Sequence, residues 1–194
     1  MIGKLVVVSV LCISTARIYG QVEDSATAGI VPLSVGGSFS HFDSGYEGIK
    51  SEGVAAFIDY SPLLAGNLGV EGEGRWLKYG GAGSFSEYNY LVGPRYRFYY
   101  KSEKYQPYAK ILIGAGEINF PYDLGHGGYF AMAGGGGIDI AFKEHWKLRA
   151  DYELQYWPNA LNIPGIQTGA MHPNGVSVGF TYRLFRSRYG FQPR

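Results

Sequence analysis

Between Trp146 and Trp157 the chain reads WKLRADYELQYW, an unbroken alternation of apolar and polar residues. Trp146, Leu148, Ala150, Tyr152, Leu154 and Tyr156 share one parity; Lys147, Arg149, Asp151, Glu153 and Gln155 share the other. A period of two is that of a β-strand with one apolar and one polar face. In a water-soluble sheet the apolar face is buried. In a barrel that spans a bilayer it meets lipid, and the charges line the interior. One strand cannot choose between these, so the choice falls to the rest of the chain.

The same alternation recurs in seven further segments. VPLSVGGSF sets Val31, Leu33, Val35 and Phe39 against serines, and VAAFIDY sets Val54, Ala56, Ile58 and Tyr60 against Phe57 and Asp59. LGVEGEGRW sets Leu68, Val70 and Trp76 against Glu71, Glu73 and Arg75. YNYLVGPRYRF, AKILIGAG, FAMAGGGGIDIAF and VSVGFTYRL follow the same rule, with Arg95, Arg97, Lys110, Asp139 and Arg183 on the polar parity. Odd-numbered connections (Phe42 to Gly53, Gly80 to Ser86, Glu117 to Gly128, Pro158 to Pro173) are long, whereas SPLLAGN, YKSEKYQ and KEH are shorter. Long loops at one end of a meander and short turns at the other form the bacterial outer-membrane pattern. The expected fold is all-β: an eight-stranded antiparallel up-and-down transmembrane β-barrel. No amphipathic helix, internal repeat or second domain is legible.

Composition agrees. Charged residues make up 17% of the 194, below the ~25% usual for soluble domains. Tyr (17) and Gly (30) are abundant; they suit half-wet interfaces and tightly bent strands. A net charge of +1 without a basic block before the C-terminus argues against nucleic acid as a partner. The first residues, MIGKLVVVSVLCISTARIYGQ, combine Lys4 with a short apolar run, Leu5 to Ile13. That run is too short for a membrane helix and reads as a cleaved signal peptide over residues 1–20, cut after Ala16 or Gly20. Leu11 is too bulky before Cys12 for a lipoprotein site. A polar lead-in (21–29), the barrel (30–185) and a short basic tail (186–194) complete the division.

Ten residues separate Trp146 from Tyr156; tilted by ~40° they rise roughly 25 Å, the height of a lipid-facing band. Tyr60, Phe98, Phe142 and Tyr182 fall with Trp146 at the short-turn end, and Trp76 falls with Tyr156 at the other. Together these seven are the expected aromatic girdle. The charged parity, nearly balanced in sign, would then face inward. Placing the turns at Glu144 and Gly83 puts Asp139 opposite Arg149 and Glu71 opposite Arg95, two expected interior pairs.

Three blocks carry a family resemblance. NYLVGPRYRFYYKSEKYQPYAKILIGAG resembles the fourth-strand, turn and fifth-strand block of the OmpA-like and OmpX-like outer-membrane β-barrel domains. FAMAGGGGIDIAFKEHWKLRADYELQYW resembles the block that follows it, and VSVGFTYRLF the closing strand. The resemblance spans about Gly29 to Phe185. It implies outer-membrane lipid and lipopolysaccharide as surroundings, and the barrel-assembly machinery as a partner during insertion. RSRYGFQPR continues past the family's usual end and reads as a basic periplasmic extension.

Candidate chemistry is sparse. SFSHFDSGYEG brings Ser38, Ser40, His41, Asp43 and Ser44 together, but adjacent Ser40 and His41 would point to opposite faces, and a nucleophile needs its base within hydrogen-bond reach. His41, His126 and His172 lack a spacing that fixes a zinc geometry, and His145 lies apart in a short turn. GGGG, Gly134 to Gly137, has no following helix and is no phosphate loop. No catalytic residue, metal or cofactor is expected, and eight strands leave an interior that side chains fill. The expected role is structural or surface-interactive, with an unidentified partner at the long loops. The rivals are a lipid A-modifying enzyme on the same barrel and a secreted lipocalin-like carrier.

Overall fold

The computed structural model describes residues 33–45, 48–61, 67–80, 85–98, 104–119, 126–158, 160 and 169–184. The expected signal peptide, lead-in and basic tail lie outside them. Eight strands follow in order: β1 (Leu33–Asp43), β2 (Lys50–Tyr60), β3 (Leu68–Lys78), β4 (Ser86–Arg97), β5 (Tyr105–Asn119), β6 (His126–Ala141), β7 (Trp146–Tyr156) and β8 (Asn174–Arg183). Each pairs antiparallel with the next, and β8 returns to β1, so the sheet closes into a barrel with no free edge. Closure satisfies every strand's backbone ladder without water. This is the expected eight-stranded up-and-down barrel.

Strand lengths correct one sequence argument. β1, β2, β5 and β6 run further than their alternation suggested and absorb much of the odd connections. What remains is 44–49, 79–85 and 120–125, against 61–67, 98–104 and 142–145 at the other end; only 157–173 is long. The cause is local: Ser44 N–H donates to the Ile49 carbonyl at 2.9 Å, and Phe42 and Ile118 bury their side chains inside. Residues that read as polar loop are therefore paired strand.

Register corrects another. Asp139 does face Arg149, but Glu71 faces Gly93, and Arg95 faces Gly69. The β3–β4 ladder closes with Tyr79 N–H on the Phe85 carbonyl (3.0 Å), which turns Leu77 and Phe85 into the interior. The pairing thus shifts by two residues. A slip of one would have turned every side chain over; a slip of two keeps each on its face.

Parity settles the opening question. Glu71, Glu73, Arg75, Arg95, Lys110, Asp139, Arg149 and Glu153 are buried, whereas Val54, Ile58, Tyr90, Val92, Ile111, Phe130, Leu154 and Phe180 are exposed. Charges fill the inside and hydrocarbon covers the outside.

Candidate functional site

The interior is built in three tiers. Nearest the 142–145 turn, Arg149 donates from Nε to Asp139 Oδ1 (2.9 Å), from Nη1 to Glu71 Oε2 (3.0 Å) and from Nη2 to Asp59. Arg95 joins the same acids, reaching Asp59 and Asp139 at 2.8 Å each and Glu71 at 3.4 Å. Both guanidinium planes lie 3.8 Å from an aromatic centroid, Arg149 over Phe57 and Arg95 over Tyr108. Planar, delocalised cations stack in this way while their forks serve carboxylates at the edge. Lys147 closes the tier by donating to Gln106 (2.6 Å).

In the middle tier Lys110 is ringed by carboxylates: Glu73 at 2.7 Å, Glu71 and Glu153 at 2.9 Å, and Asp151 at 3.5 Å. Tyr108 Oη donates to Asp151 (2.9 Å), and Arg75 reaches Glu153 (3.1 Å) beneath the Phe42 ring. A buried charge is tolerable when it is paired, and every cation named in these two tiers meets at least one carboxylate, although Asp59 Oδ1, Arg75 Nε and Asp151 Oδ1 find no hydrogen-bond partner among the described residues.

The third tier is apolar. Phe85, Leu91, Leu112, Ile118, Ala131, Ala133, Trp157, Ala160 and Met171 form one cluster at the opposite end. Trp157 and Met171 exchange backbone hydrogen bonds at 3.0 and 3.1 Å, so both ends of the 157–173 connection fold into the mouth. The Trp157 indole N–H donates to Gln155 (2.7 Å). Its ring lies against the bare backbone of Gly116, where any Cβ would overlap it. Glu87, opposite Leu77 and Ile118 in the ladder, is wholly buried here, and neither of its carboxylate oxygens has a hydrogen-bond partner among the described residues.

On the outer face, Tyr60, Phe98, Phe142 and Trp146 are exposed at the turn end, with Tyr182 edge-on to Trp146 (4.9 Å). Trp76 and Tyr156 stand toward the other end, the Trp76 indole donating to Tyr90 Oη at 3.1 Å. Of the candidate chemistry, Ser40 points inward to Ser177 Oγ (2.9 Å), while His41 points outward to Glu52 (3.1 Å). His172 packs on Tyr156, and among the described residues no cluster of His, Cys, Asp or Glu is placed to hold a metal.

Sequence pairing found Asp139 with Arg149, but its expectation of Glu71 directly opposite Arg95 is two residues out of register, and the two meet only diagonally, at 3.4 Å. It missed Asp59 as the shared acid and Glu87 altogether. It also missed the apolar mouth, because Phe85, Leu91, Leu112 and Ile118 sit on the parity read as polar, as do Phe42, Phe57 and Tyr108, which stack on the arginines of the charged tiers. Trp157, which ends the opening segment, was the legible signal: its parity already pointed inward.

A closed antiparallel barrel of eight strands, charged within and apolar without, defines a transmembrane β-barrel of the outer-membrane class. The chain belongs to the outer membrane protein beta-barrel domain family, which matches residues 5–183. Three solved structures share the fold. Neisserial surface protein A is 14% identical with a TM-score of 0.58, over 78% of this chain and 95% of that one. Ail, the attachment invasion locus protein of Yersinia pestis, is 19% identical (TM-score 0.52; 80% and 98%). OprG from Pseudomonas aeruginosa is 13% identical (TM-score 0.50; 79% and 96%). At these identities the likeness is one of fold. No curated protein matches the chain significantly in sequence. Family membership removes the soluble lipocalin-like reading.

Proposed function

We propose that this outer-membrane barrel is a closed, non-enzymatic scaffold that works through its loop face. The supporting observation is the filled interior: Trp157, Arg75, Arg149, Phe42, Phe85 and Met171 are among its largest side chains, and each is under 2% exposed. With two ion-paired tiers below an apolar plug, a diffusion channel has no path. Ser40 and His41 on opposite faces support the absence of a serine hydrolase site. The odd connections, including 157–173, then face outside the cell, and the even turns and both termini face the periplasm, after cleavage of residues 1–20. The aromatic rows meet lipid and lipopolysaccharide at the two interfaces, and the closing strand guides the assembly machinery. Ail, named for attachment and invasion, illustrates a surface role on such a barrel.

Conductance is the test. The refolded protein in planar bilayers should show no stable ion steps, and a protease added outside intact cells should cut the chain at an odd connection. Steady open channels, or cleavage only after the outer membrane is breached, would refute the reading.

A further inference from the structure

The lipid-facing surface is uneven. On β5, β6 and β8 the outward residues Ile111, Ile113, Phe130, Val176, Val178 and Phe180 are each more than half exposed. Over β1–β4 the surface is instead indented by a concavity of about 650 Å³. Its floor is Ala56, Gly72 and Gly74, and its sides are Ile58 and the Trp76–Tyr90 pair. Register makes the dent continuous, because Gly37, Ala56, Gly74 and Tyr90 stand in one row across four strands. The two glycines are closely bordered: a Cβ on Gly74 would lie 3.1 Å from the Trp76 ring and 3.3 Å from the Tyr90 ring, and one on Gly72 would lie 3.3 Å from Ile58 Cγ2. Trp76 and Tyr90 are fixed as a wall by their 3.1 Å hydrogen bond and an edge-on contact of 5.9 Å.

The rim of the dent is charged. Two residues beyond Trp76 on β3, Lys78 is exposed and has no ion pair among the described residues. It shares a row with Glu52 and His41, since Glu52 faces Lys78 on one side and His41 on the other. Glu52 turns to His41, Nδ1 to Oε1 at 3.1 Å, which leaves the Lys78 ammonium open at the height where apolar residues give way to polar ones. An apolar dent inside a bilayer is filled by hydrocarbon, and an unpaired cation directly above it selects hydrocarbon that bears an anion. We infer that this groove is a specific lipid site: one acyl chain of a phosphorylated lipid A lies along Ala56, Gly72 and Gly74 against Trp76, with a phosphate of its headgroup on Lys78. The inference rests on the orientation proposed above, which puts Lys78 in the outer leaflet.

Binding is measured on the refolded full chain in detergent micelles, where orientation plays no part, so failure here is separable from failure of that reading. Native mass spectrometry with bis-phosphorylated lipid A, dephosphorylated lipid A and phosphatidylcholine reads the stoichiometry. The wild type should retain one bis-phosphorylated lipid A and at least tenfold less of the other two. Ala56→Leu and Gly72→Leu, which fill the groove from the lipid side, should each lower retention tenfold or more, whereas Ala150→Leu on β7, across the barrel, should leave it unchanged. Lys78→Gln should bring bis-phosphorylated lipid A down to the level of the dephosphorylated form. Heat-modifiable migration confirms folding of each variant. Unchanged retention in both groove variants, indifference to Lys78→Gln, equal retention of all three lipids, or a barrel dimer abolished by Ala56→Leu would each overturn the site.

Discussion

Arg149 on β7 stands directly opposite Asp139 on β6, Nε to Oδ1 at 2.9 Å, and the same guanidinium holds Glu71 and Asp59, 78 and 90 residues away in sequence. One side chain therefore ties β2, β3, β6 and β7 together through the barrel axis. Such a link opposes both register slip and flattening of the cylinder.

Removing the cation should be costly. Arg149→Ala leaves three buried carboxylates short of a partner, and breaking a buried pair from one side typically costs about 3–5 kcal/mol. Arg149→Lys keeps the charge but serves fewer acids at once, so its loss should be smaller. Urea unfolding in lipid vesicles gives both values. Equal, small losses would mean that the tier is not a unit.

Glu87 should behave in the opposite sense. Its two unsatisfied oxygens lie opposite Leu77 and Ile118, so Glu87→Leu removes a desolvation penalty and extends the apolar mouth. The gain should be about 1–3 kcal/mol, read as a higher urea midpoint. A loss would show that the carboxyl has a partner in the folded barrel.

Trp157 seals the mouth, and Trp157→Ala should cost about 3–5 kcal/mol as a core truncation. Conductance should nevertheless stay silent, because the two ion-paired tiers remain below. Channel activity in this variant would assign the seal to the indole alone.

What the sequence makes legible differs by level. Alternation fixed the faces of all eight strands, because a residue's side of a sheet depends only on parity. Asp139 with Arg149 was readable because a four-residue connection leaves little freedom in register. Glu71 with Arg95 was displaced by two, since a longer connection lets burial of Leu77 and Phe85 choose the register. Asp59 with Arg149 could not be read from neighbours at all: it spans the lumen, and only closure brings β2 to β7. The Trp76 dent needed four strands in register before its glycines and Ala56 lined up.

The most direct test of the account is at Ala150, on the outward parity of β7 beside inward Arg149 and Asp151, about midway between Trp146 and Tyr156. Unfolding free energies of Ala150→Arg and Ala150→Leu in lipid vesicles decide which face meets lipid. Arg should cost about 2–4 kcal/mol, the penalty for a cation at the bilayer midplane, while Leu should be accepted with little or no loss. Tolerance of Arg, together with a loss of about 1–3 kcal/mol for Leu as in an overfilled core, would contradict the assignment and turn the barrel inside out.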